Sequence, residues 1–403
     1  MSTGPLDGVR VLDVGTRIAA PFCAGLLGEM GAEVIKVEDP GGGDFMRTIG
    51  PFAPPEAANG MVGYSLYWAV EGRGRKSVTL NLRTSEGQDL FRRLAATADV
   101  VCENFRPGTL ERWNIGPASL DPKLVVVRIS VFGQDGPYAQ RPGLDRMGIG
   151  YGGLMHLTGY PEQPPVRPGV TLSDYLTGSL AASAAVAALY ARATRHGRGA
   201  VIDACLYGSV LRVLEWTLAG YDKLGIVRQR EGNRLANSAP LDNYPTADGT
   251  FVCIVAGSDT NFRRLCTAMA RPELADEPRF ATLAQRAAAG DELNGLVTEW
   301  TSALTAAEVE EACVAADVPV ARVYSAADVF ADPHMAARGD LVTVDDPVLG
   351  PVRQQAPVPR FDGAAPAAPS GAPALGQHNA EVWGGLLGLD EAERSRLRDA
   401  GVL

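Results

Sequence analysis

Short apolar runs alternate with amphipathic segments through the first half of the chain. The apolar runs predict strands at residues 9–14, 32–38, 77–82, 100–104, 124–130 and 200–206. The segments between them predict helices at 21–30 and 85–96, and Pro21 and Gly31 suit the start and the end of the first one. Strands that alternate with helices in this way are typical of a parallel sheet with helices on its faces. The predicted fold class is therefore α/β.

A different pattern, rich in Ala, Ser and Gly, predicts a long helix at residues 171–194. Gly178, Ala182, Ala185 and Ala188 recur along one side of it. Because such small side chains let another backbone approach closely, we expect this helix to be buried. A second helix is predicted to follow at residues 210–223.

The second half of the chain has its own organisation. Turn-forming residues at 239–249 precede a predicted strand at 251–256, helices at 261–271, 290–304 and 306–316, and an extended connector at 319–323. From residue 341 the chain is strand-like and Pro-rich, with an Ala/Pro/Gly linker at 363–373 and a charged helix at 391–400. We therefore divide the chain into an α/β domain at 1–224, a smaller domain at 225–325, and a connector with a C-terminal part at 326–403.

Composition excludes several classes of partner. The 403 residues carry a net charge of −10, whereas binding to a phosphate backbone requires a basic face, so nucleic acid is not expected as a partner. No run of eighteen apolar residues and no signal-peptide pattern is present, so we expect no membrane partner. The six cysteines never form a Cys-x-x-Cys pair, which indicates free thiols in a reducing cytoplasm.

Asp174 lies in the first turn of the predicted long helix, in the sequence Thr171-Leu-Ser-Asp174. This Thr-x-x-Asp pattern is close to a capping box, and an acid there usually complements the positive end of the helix dipole. The same dipole would lower the pKa of the carboxyl group and keep it ionised. An ionised and partly desolvated carboxylate can attack a thioester carbonyl, so a structural and a catalytic role are both open.

A second carboxylate, Asp145, lies in a segment that is dense in glycine. The glycines are Gly143, Gly148, Gly150, Gly152 and Gly153. They predict either a flexible loop with a solvated acid or a loop whose backbone N–H groups approach a ligand and a developing oxyanion.

Two further segments offer cations and an aromatic side chain. Arg73-Gly-Arg-Lys76 precedes a predicted strand and is either a solvated basic turn or a clamp for phosphates. Residues 103–112 follow a predicted buried strand, at the end of a parallel sheet where ligands bind. There, Phe105 beside Asn104 and Arg106 suits an adenine ring and its phosphates, although a simple turn before a helix is the alternative.

Several common chemistries lack their motifs. The first strand is not followed by Gly-x-Gly-x-x-Gly, and the chain contains no Walker loop and no Gly-x-Ser-x-Gly elbow. The four histidines, at 156, 196, 334 and 378, have no metal-ligand spacing. We therefore predict no metal and no permanently bound cofactor.

In a series of motifs spread nearly end to end, the chain resembles family III CoA-transferases, the group of formyl-CoA transferase and carnitine CoA-transferase. These motifs lie at residues 6–13, 31–38, 41–44, 75–82, 98–108 with Arg112, 130–138, 174–178 and 376–382. Each motif is weak alone, but their order along the chain is specific.

The resemblance implies an interlocked homodimer. Each large domain would be Rossmann-like and built from both chain ends, so that 326–403 returns to it, and a smaller α+β domain would lie between. Coenzyme A would lie along the large domain, with its acyl end near the small domain of the partner subunit. The substrates would be an acyl-CoA donor and a carboxylic acid acceptor.

The resemblance also implies roles for individual residues. Asp174 matches the catalytic aspartate, and Asp145 matches an acidic neighbour of that nucleophile. The positions that match CoA contacts are Ile18, Ala19, Arg73, Gly74, Arg75, Lys76, Asn104, Phe105, Arg106, Arg112 and Arg141.

Some positions depart from the family pattern. Asp39 occupies a position where formyl-CoA transferase has a basic residue, and residues 233–240 replace a glycine-rich flap, which disfavours oxalate or formyl specificity. The related α-methylacyl-CoA racemases carry a His at the position of Leu144, so one base for proton transfer is missing here. CoA transfer is thus favoured over epimerisation of an α-substituted acyl-CoA, and non-catalytic acyl-CoA binding stays open as a third possibility. Succinyl-CoA and acetyl-CoA are candidate donors, the acceptor is open, and Arg234 is a candidate partner for a substrate carboxylate.

Overall fold

The computed structural model describes residues 4–363 and 367–403, with the side chain of His196 excepted. Residues 364–366 of the predicted linker lie outside the described residues. The chain forms two compact units. The first comprises residues up to Leu154, Arg167–Leu218 and Pro333–Leu403, and the second comprises Met155–Val166 and Ala219–Asp332. The domain limits at 224 and 325 stay a prediction, and residues 155–166 group with the second unit, which the sequence did not indicate.

The strands are numbered in chain order. They are β1 (Arg10–Asp13), β2 (Glu33–Glu38), β3 (Lys76–Thr79), β4 (Val100–Glu103), β5 (Val125–Ser130), β6 (Val201–Cys205), β7 (Leu241–Pro245), β8 (Phe251–Val255), β9 (Val320–Arg322), β10 (Leu341–Asp346) and β11 (Gly350–Gln355).

The α-helices are numbered in the same way. They are α1 (Ala19–Glu29), α2 (Leu66–Glu71), α3 (Ser85–Ala95), α4 (Thr109–Arg112), α5 (Asp145–Tyr151), α6 (Leu154–Leu157), α7 (Leu172–Ala191), α8 (Leu206–Arg212), α9 (Thr217–Leu224), α10 (Asp259–Ala268), α11 (Leu283–Ala288), α12 (Gly290–Ser302), α13 (Ala306–Ala315), α14 (Ala326–Ala331), α15 (Pro333–Arg338) and α16 (Glu391–Asp399).

A six-stranded parallel sheet forms the centre of the first unit, in the order β3-β2-β1-β4-β5-β6. The predicted α/β class is confirmed. Strand β1 pairs with both β2 and β4, so the chain reverses its direction of travel across the sheet at this point. Ligands of open α/β sheets bind outside the carboxyl ends of the strands at such a switch point.

Helices cover both faces of this sheet. The strands are apolar on both faces, so both must be shielded from water. On one face, α1 and α7 pack over residues such as Val11 and Val127. On the other face, Phe91 of α3 packs with Trp383 and Leu397 from the C-terminal part of the chain. The C-terminal segment therefore supplies part of the core of the first unit.

The prediction that the long helix is buried holds for only part of α7, since Ala188 is half-buried and Leu180 and Tyr190 are exposed. Gly178, Ala182 and Ala185 are buried, and a Cβ atom at Gly178 would lie 2.8 Å from the carbonyl oxygen of Ala19. By length and composition alone, Leu172–Arg195 is the one described helical segment that could cross a membrane. Its close packing on α1 gives the small residues a structural explanation.

The helix predicted at 210–223 is instead two helices, α8 and α9. Between them Glu215 has a left-handed backbone, with φ of 54°, which the interior of an α-helix does not adopt.

The second unit is built on an antiparallel sheet in the order β7-β8-β9. Residues 319–323 were expected to form an extended connector, but β9 within them pairs with β8. Helices α10, α12 and α13 cover the sheet through Leu265, Val297 and Val309, which are all fully buried.

Candidate active site

A cavity of about 620 Å³ opens at the carboxyl ends of β1, β4 and β5 in the first unit. It collects seven of the residues singled out in the sequence, namely Ile18, Ala19, Asn104, Phe105, Arg106, Arg141 and Asp174. Asp174 is the one carboxylate among the described lining residues, and Arg17, Arg106 and Arg141 are the cations. One acid and three arginines thus line a single cleft of a size that suits a small-molecule ligand.

Asp174 lies in the first turn of α7, where its carboxyl group is partly buried at the cavity wall. Burial, followed by the negative charge of Asp145, raises the pKa of Asp174 to about 7, and the positive charge of Arg17 acts in the opposite direction. The expectation that the helix terminus would lower this pKa is wrong. Desolvation and a like charge disfavour the ionised form by more than the helix end favours it.

Asp145 provides the cap at the start of α7. Its Oδ1 accepts hydrogen bonds from the backbone N–H of Ser173 at 2.9 Å and from the Ser173 hydroxyl at 2.8 Å. Thr171, which the sequence suggested as the cap, makes no capping hydrogen bond. A buried carboxylate from a different helix thus satisfies a donor that the helix itself leaves unpaired.

The glycine-dense segment after Asp145 is the helix α5 and not a loop. A Cβ atom at Gly148 would lie 2.7 Å from both the Ser173 hydroxyl and Cβ of Leu206. The expectation of a glycine loop is therefore wrong over residues 145–151. Here glycine allows helices to pack closely, and that packing outweighs its low helix propensity.

The loop after β1 is tied to the loop after β4. Asn104 accepts a hydrogen bond from the backbone N–H of Thr16 at 2.9 Å and donates one to the Thr16 carbonyl at 2.7 Å. This pairing fixes Ile18 and Ala19 relative to Phe105 and Arg106, so the two loops form a common wall of the cavity.

A buried network of charges lies beneath that wall. Lys36 contacts Asp44 at 2.7 Å and Asp13 at 3.3 Å, and Arg75 contacts Asp13 at 2.5 Å. Burial alone would raise the pKa of Asp44, but the adjacent Lys36 and several hydrogen bonds hold it below its ordinary value. Asp44 therefore stays ionised and accepts hydrogen bonds from the Arg17 N–H at 3.1 Å and the Thr16 hydroxyl at 3.3 Å.

The basic turn at 73–76 does not line the cavity. Arg75 is buried against Asp13 and donates to the carbonyl of Pro21 at 2.6 Å. Arg73 pairs with Glu29, and Lys76 pairs with Glu33 and Glu381.

Two more of the expected CoA contacts lie away from the cavity. The Gly74 N–H bonds to the carbonyl of Ser370, and Arg112 donates to the hydroxyl of Thr109. For the basic turn and for Arg112, contact with CoA stays a prediction.

Phe105 is held from behind by another buried ion pair. Glu103 accepts a hydrogen bond from the Phe105 N–H at 2.7 Å and pairs with Arg128 at 2.7 Å. Burial raises the pKa of Glu103 to about 7, although Arg128 opposes this shift. The Phe105 ring packs edge-on against Trp113 at 5.1 Å, and both rings line a second cavity of about 210 Å³.

Arg17 is a lining residue that the sequence argument missed. It directly precedes Ile18 and Ala19, and its guanidinium carbon lies 3.9 Å from the centre of the Phe45 ring. The available signal was a cation in the loop between a parallel strand and its helix, next to two positions already singled out.

Arg234, the other candidate for a substrate carboxylate, lies in the second unit. It pairs with Asp242 at 2.5 Å and with Asp291 at 2.7 Å. Its proposed contact with a substrate stays a prediction. Outside residues 1–3, 364–366 and the His196 side chain, no group of three or more His, Cys, Asp or Glu residues is placed to hold a metal ion.

The sequence is similar to those of known CoA-transferases. The family model for CoA-transferase family III matches residues 6–379. The chain is 43% identical to the succinyl-CoA–D-citramalate CoA-transferase of Chloroflexus aurantiacus, over 99% of this chain and 98% of that protein. It is 41% identical to the succinyl-CoA–L-malate CoA-transferase beta subunit of the same organism, over 100% and 99% of the two chains.

A solved structure gives the same result. The crystal structure of a CAIB/BAIF family protein from Brucella suis superposes with a TM-score of 0.83 at 36% identity, covering 96% of this chain and 100% of that one. The match extends over nearly the whole sequence and over the fold that holds Asp174. The chain therefore belongs to CoA-transferase family III.

Proposed function

We propose that this enzyme transfers CoA between an acyl-CoA thioester and a carboxylic acid by using Asp174 as a covalent nucleophile. The observation that carries this proposal is the position of Asp174, the one carboxylate among the described residues that line a cavity with three guanidinium groups. A pKa of about 7 means that a substantial fraction of this carboxylate is ionised at neutral pH. A partly desolvated carboxylate is also a stronger nucleophile than a hydrated one.

The first half of the proposed reaction releases the donor acid. A carboxylate oxygen of Asp174 attacks the thioester carbonyl, the carbon–sulfur bond breaks, and CoA leaves as a thiolate. The resulting mixed anhydride is then attacked by the thiolate at the aspartyl carbonyl. The donor acid leaves as its carboxylate, and an aspartyl-CoA thioester remains.

The second half repeats these steps with the acceptor. The acceptor carboxylate attacks the aspartyl thioester and expels the thiolate, which forms a second anhydride. The thiolate then attacks the acceptor carbonyl, and Asp174 leaves as a carboxylate. No net proton is gained or lost, so the cycle needs a retained thiolate and exclusion of water more than it needs an acid or a base.

The CoA nucleotide would supply binding energy away from the reacting atoms. We propose that Arg106 and Arg141 bind its diphosphate, since both line the cavity and neither pairs with an acid in the part of the chain that the structure describes. The adenine would lie beside Phe105, where the smaller cavity begins. Ile18, Ala19 and Asn104 would contact the pantetheine arm from the tied loops.

We propose succinyl-CoA as the donor because it is named for both Chloroflexus relatives. The racemase alternative is not favoured. A racemase moves a proton across one carbon and needs a base for it, but the described lining residues contain no His, and Leu144 occupies the position where racemases carry one.

We also propose that the active form is an interlocked homodimer in the cytoplasm. Helix α9 and the chain after it expose Leu218, Tyr221, Leu224 and Val227 by 55–72%. Large apolar patches of this kind mark association surfaces. Sedimentation of the purified protein at several concentrations tests the proposal, and a strictly monomeric active enzyme would contradict it.

The nucleophile is tested by trapping. Enzyme incubated with succinyl-CoA and quenched with hydroxylamine is expected to carry a hydroxamate on the peptide that contains Asp174, which peptide mass spectrometry detects. Asp174→Ala is expected to lose both the adduct and CoA transfer. As a matched control, Asp135→Ala replaces an exposed aspartate and is expected to retain both.

The identity of the acids is tested by a donor-by-acceptor panel read by mass spectrometry of the CoA thioesters. Transfer that survives in Asp174→Ala would rule out Asp174 as the nucleophile. Deuterium incorporation from solvent at the α-carbon of the acyl-CoA would instead support a racemase.

A further inference from the structure

We propose that Arg17 binds the carboxylate of the substrate that does not react, which makes this a site for dicarboxylic acids and their mono-CoA thioesters. The inference rests on the proposed role of Asp174 as the nucleophile and adds the substrate class. The guanidinium of Arg17 would hold the far carboxylate while the near carboxyl carbon lies at Asp174.

Arg17 is a cation without an acidic partner among the described residues. The neighbouring cations around β1 are all paired: Lys36 with Asp13 and Asp44, Arg47 with Glu38, Arg73 with Glu29, and Arg75 with Asp13. The charge of Arg17 instead rests over the Phe45 ring at 3.9 Å, an interaction that leaves its five N–H donors in the ring plane available. These cations around β1 are neutralised by acids, whereas Arg17, like Arg106 and Arg141 in the same cavity lining, is left for a ligand.

The backbone holds Arg17 in a conformation that arginine rarely adopts. Its φ is 66°, in the left-handed region that costs a non-glycine residue about 1 kcal/mol or more. The hydrogen bond from its N–H to Asp44 at 3.1 Å fixes this conformation, and Lys36 anchors Asp44 from below. Backbone strain of this kind persists where the surrounding structure imposes it, commonly at ligand sites. Here it fixes the backbone from which the Arg17 side chain extends at the cavity wall.

Arg17 lies near the start of α7, because Ala19, two residues further along the chain, packs against Gly178, one turn after Asp174. Of the three cations in the lining, it is the one whose charge acts on Asp174, where it partly offsets the effects of burial and of Asp145 on the pKa. Arg106 and Arg141 show no such effect and are therefore the better candidates for the diphosphate. A dicarboxylate brings a second negative charge towards Asp174, and a fixed cation nearby offsets the repulsion that would otherwise oppose binding.

The geometry of arginine suits this task. Its planar fork can donate two parallel hydrogen bonds to one carboxylate, which a lysine cannot match. A site that contains such a donor pair also favours a dicarboxylate over an acid that lacks the second carboxylate, because the half-buried guanidinium gains a partner only from the dicarboxylate.

The test measures acceptor selectivity in Arg17→Met and Arg17→Lys. Acetyl-CoA serves as the donor, because it has no second carboxylate and its acyl group differs from every acceptor, and the acceptors are succinate, glutarate, butyrate and monomethyl succinate. Assays at about pH 9 keep Asp174 ionised in every variant. Neither variant alters the need for a left-handed backbone at this position, and circular dichroism checks that each is folded.

For Arg17→Met we expect kcat/KM for succinate or glutarate to fall about 100-fold, mainly through KM, since a charge-assisted pair is lost. The values for butyrate and monomethyl succinate should stay within about threefold, because these acids never use the pair. Arg17→Lys should lie between. Arg141→Met provides the contrast, since loss of a CoA contact should weaken transfer to all four acceptors alike.

Equal losses of kcat/KM for succinate and butyrate in Arg17→Met would overturn the proposal. It would also be overturned if the wild-type enzyme used butyrate as well as succinate, or if it used neither succinate nor glutarate. These outcomes do not depend on whether Asp174 is the nucleophile. Asp174→Ala and the hydroxylamine adduct test Asp174 whatever the acceptor preference is.

Discussion

Asp145 caps the helix on which Asp174 lies, through the hydrogen bonds that its Oδ1 accepts from the N–H and hydroxyl groups of Ser173 at 2.9 and 2.8 Å. One carboxylate therefore both positions the start of α7 and repels the charge on the next residue, Asp174. These two effects can be separated, because an amide keeps the acceptor oxygen and removes the charge.

Asp145→Asn is expected to move the acid limb of the pH–rate profile to lower pH. The negative charge of Asp145 contributes to the raised pKa of Asp174, so removing that charge lowers this pKa. Because the nucleophile must be ionised, kcat/KM rises with pH through the pKa of Asp174, and the rise should begin earlier in the variant. The measurement is kcat/KM from about pH 5 to pH 9.

Asp145→Ala provides the comparison. It removes the charge and also leaves the Ser173 N–H unpaired, while the Ser173 hydroxyl keeps its bond to the Asp145 carbonyl at 3.0 Å. It should therefore lower the free energy of unfolding by about 1–3 kcal/mol. If the pH–rate profile of Asp145→Asn coincided with that of the wild type, the charge of Asp145 would have no effect on the pKa of Asp174.

Asp174→Asn is expected to make the protein more stable at alkaline pH. The folded-state pKa of Asp174 is raised to about 7 from an ordinary value of 3.8, so the native state holds a proton that the unfolded state has already lost between these values. Wild-type stability therefore falls as pH rises from about 4 to 7 and is flat above, whereas the amide does not titrate.

We expect the free energy of unfolding of Asp174→Asn to be about 2 kcal/mol larger than that of the wild type at pH 8, and the two values to match near pH 4. The expected difference is smaller than the pKa shift alone would give, because the cavity admits solvent. Urea unfolding at both values measures the difference. Asp135→Asn makes the same change at an exposed site and should have little effect at either pH. A difference that grows towards acid pH would mean that the sign of the pKa shift is opposite.

Local sequence patterns predicted the sheet well because a buried parallel strand has a local signature. The runs at 100–104 and 124–130 became β4 (Val100–Glu103) and β5 (Val125–Ser130), since continuous apolar stretches fit a strand covered on both faces. The burial of Gly178 and Ala182 also follows from spacing along one helix. These features depend on neighbours within a few residues.

Features that depend on distant parts of the chain were missed. The cap on α7 comes from Asp145, 28 residues before Ser173, so the nearby Thr171 was the wrong choice. Glycine at position 148 suggests a loop from the sequence alone, and its close approach to Ser173 and Leu206 explains why it lies in a helix. The direction of the pKa shift at Asp174 depends on the burial of its carboxyl group and on the position of Asp145. Neither can be inferred from the residues close to Asp174 in the sequence.

Arg75→Met is expected to destabilise the fold and not only to weaken CoA binding. Arg75 pairs with the fully buried Asp13 and donates to the carbonyl of Pro21 in α1. Removing one partner of a buried pair leaves a charge without full compensation, which costs about 3–5 kcal/mol. Arg83→Met removes an exposed pair with Asp39 and should cost at most about 1 kcal/mol.

Urea unfolding of the two variants measures these costs, and calorimetric titration with CoA measures binding. If Arg75→Met kept the wild-type free energy of unfolding but lost affinity for CoA, Arg75 would instead contact a phosphate of CoA, as the family resemblance implies.

Gly178→Ala is expected to disturb both stability and the cavity. The added Cβ would lie 2.8 Å from the Ala19 carbonyl oxygen, a backbone atom that can move only if α1 moves. Alanine gains about 1 kcal/mol of helix propensity, but overpacking at a fixed backbone contact costs about 1–3 kcal/mol, so we expect a net loss of stability. Because Ala19 lines the cavity beside Ile18, displacement of α1 should also raise KM for the acyl-CoA. Ser183→Ala, on the exposed side of α7, should change neither quantity by much. A Gly178→Ala variant with higher stability and unchanged KM would show that α1 and α7 can separate at no cost to the site.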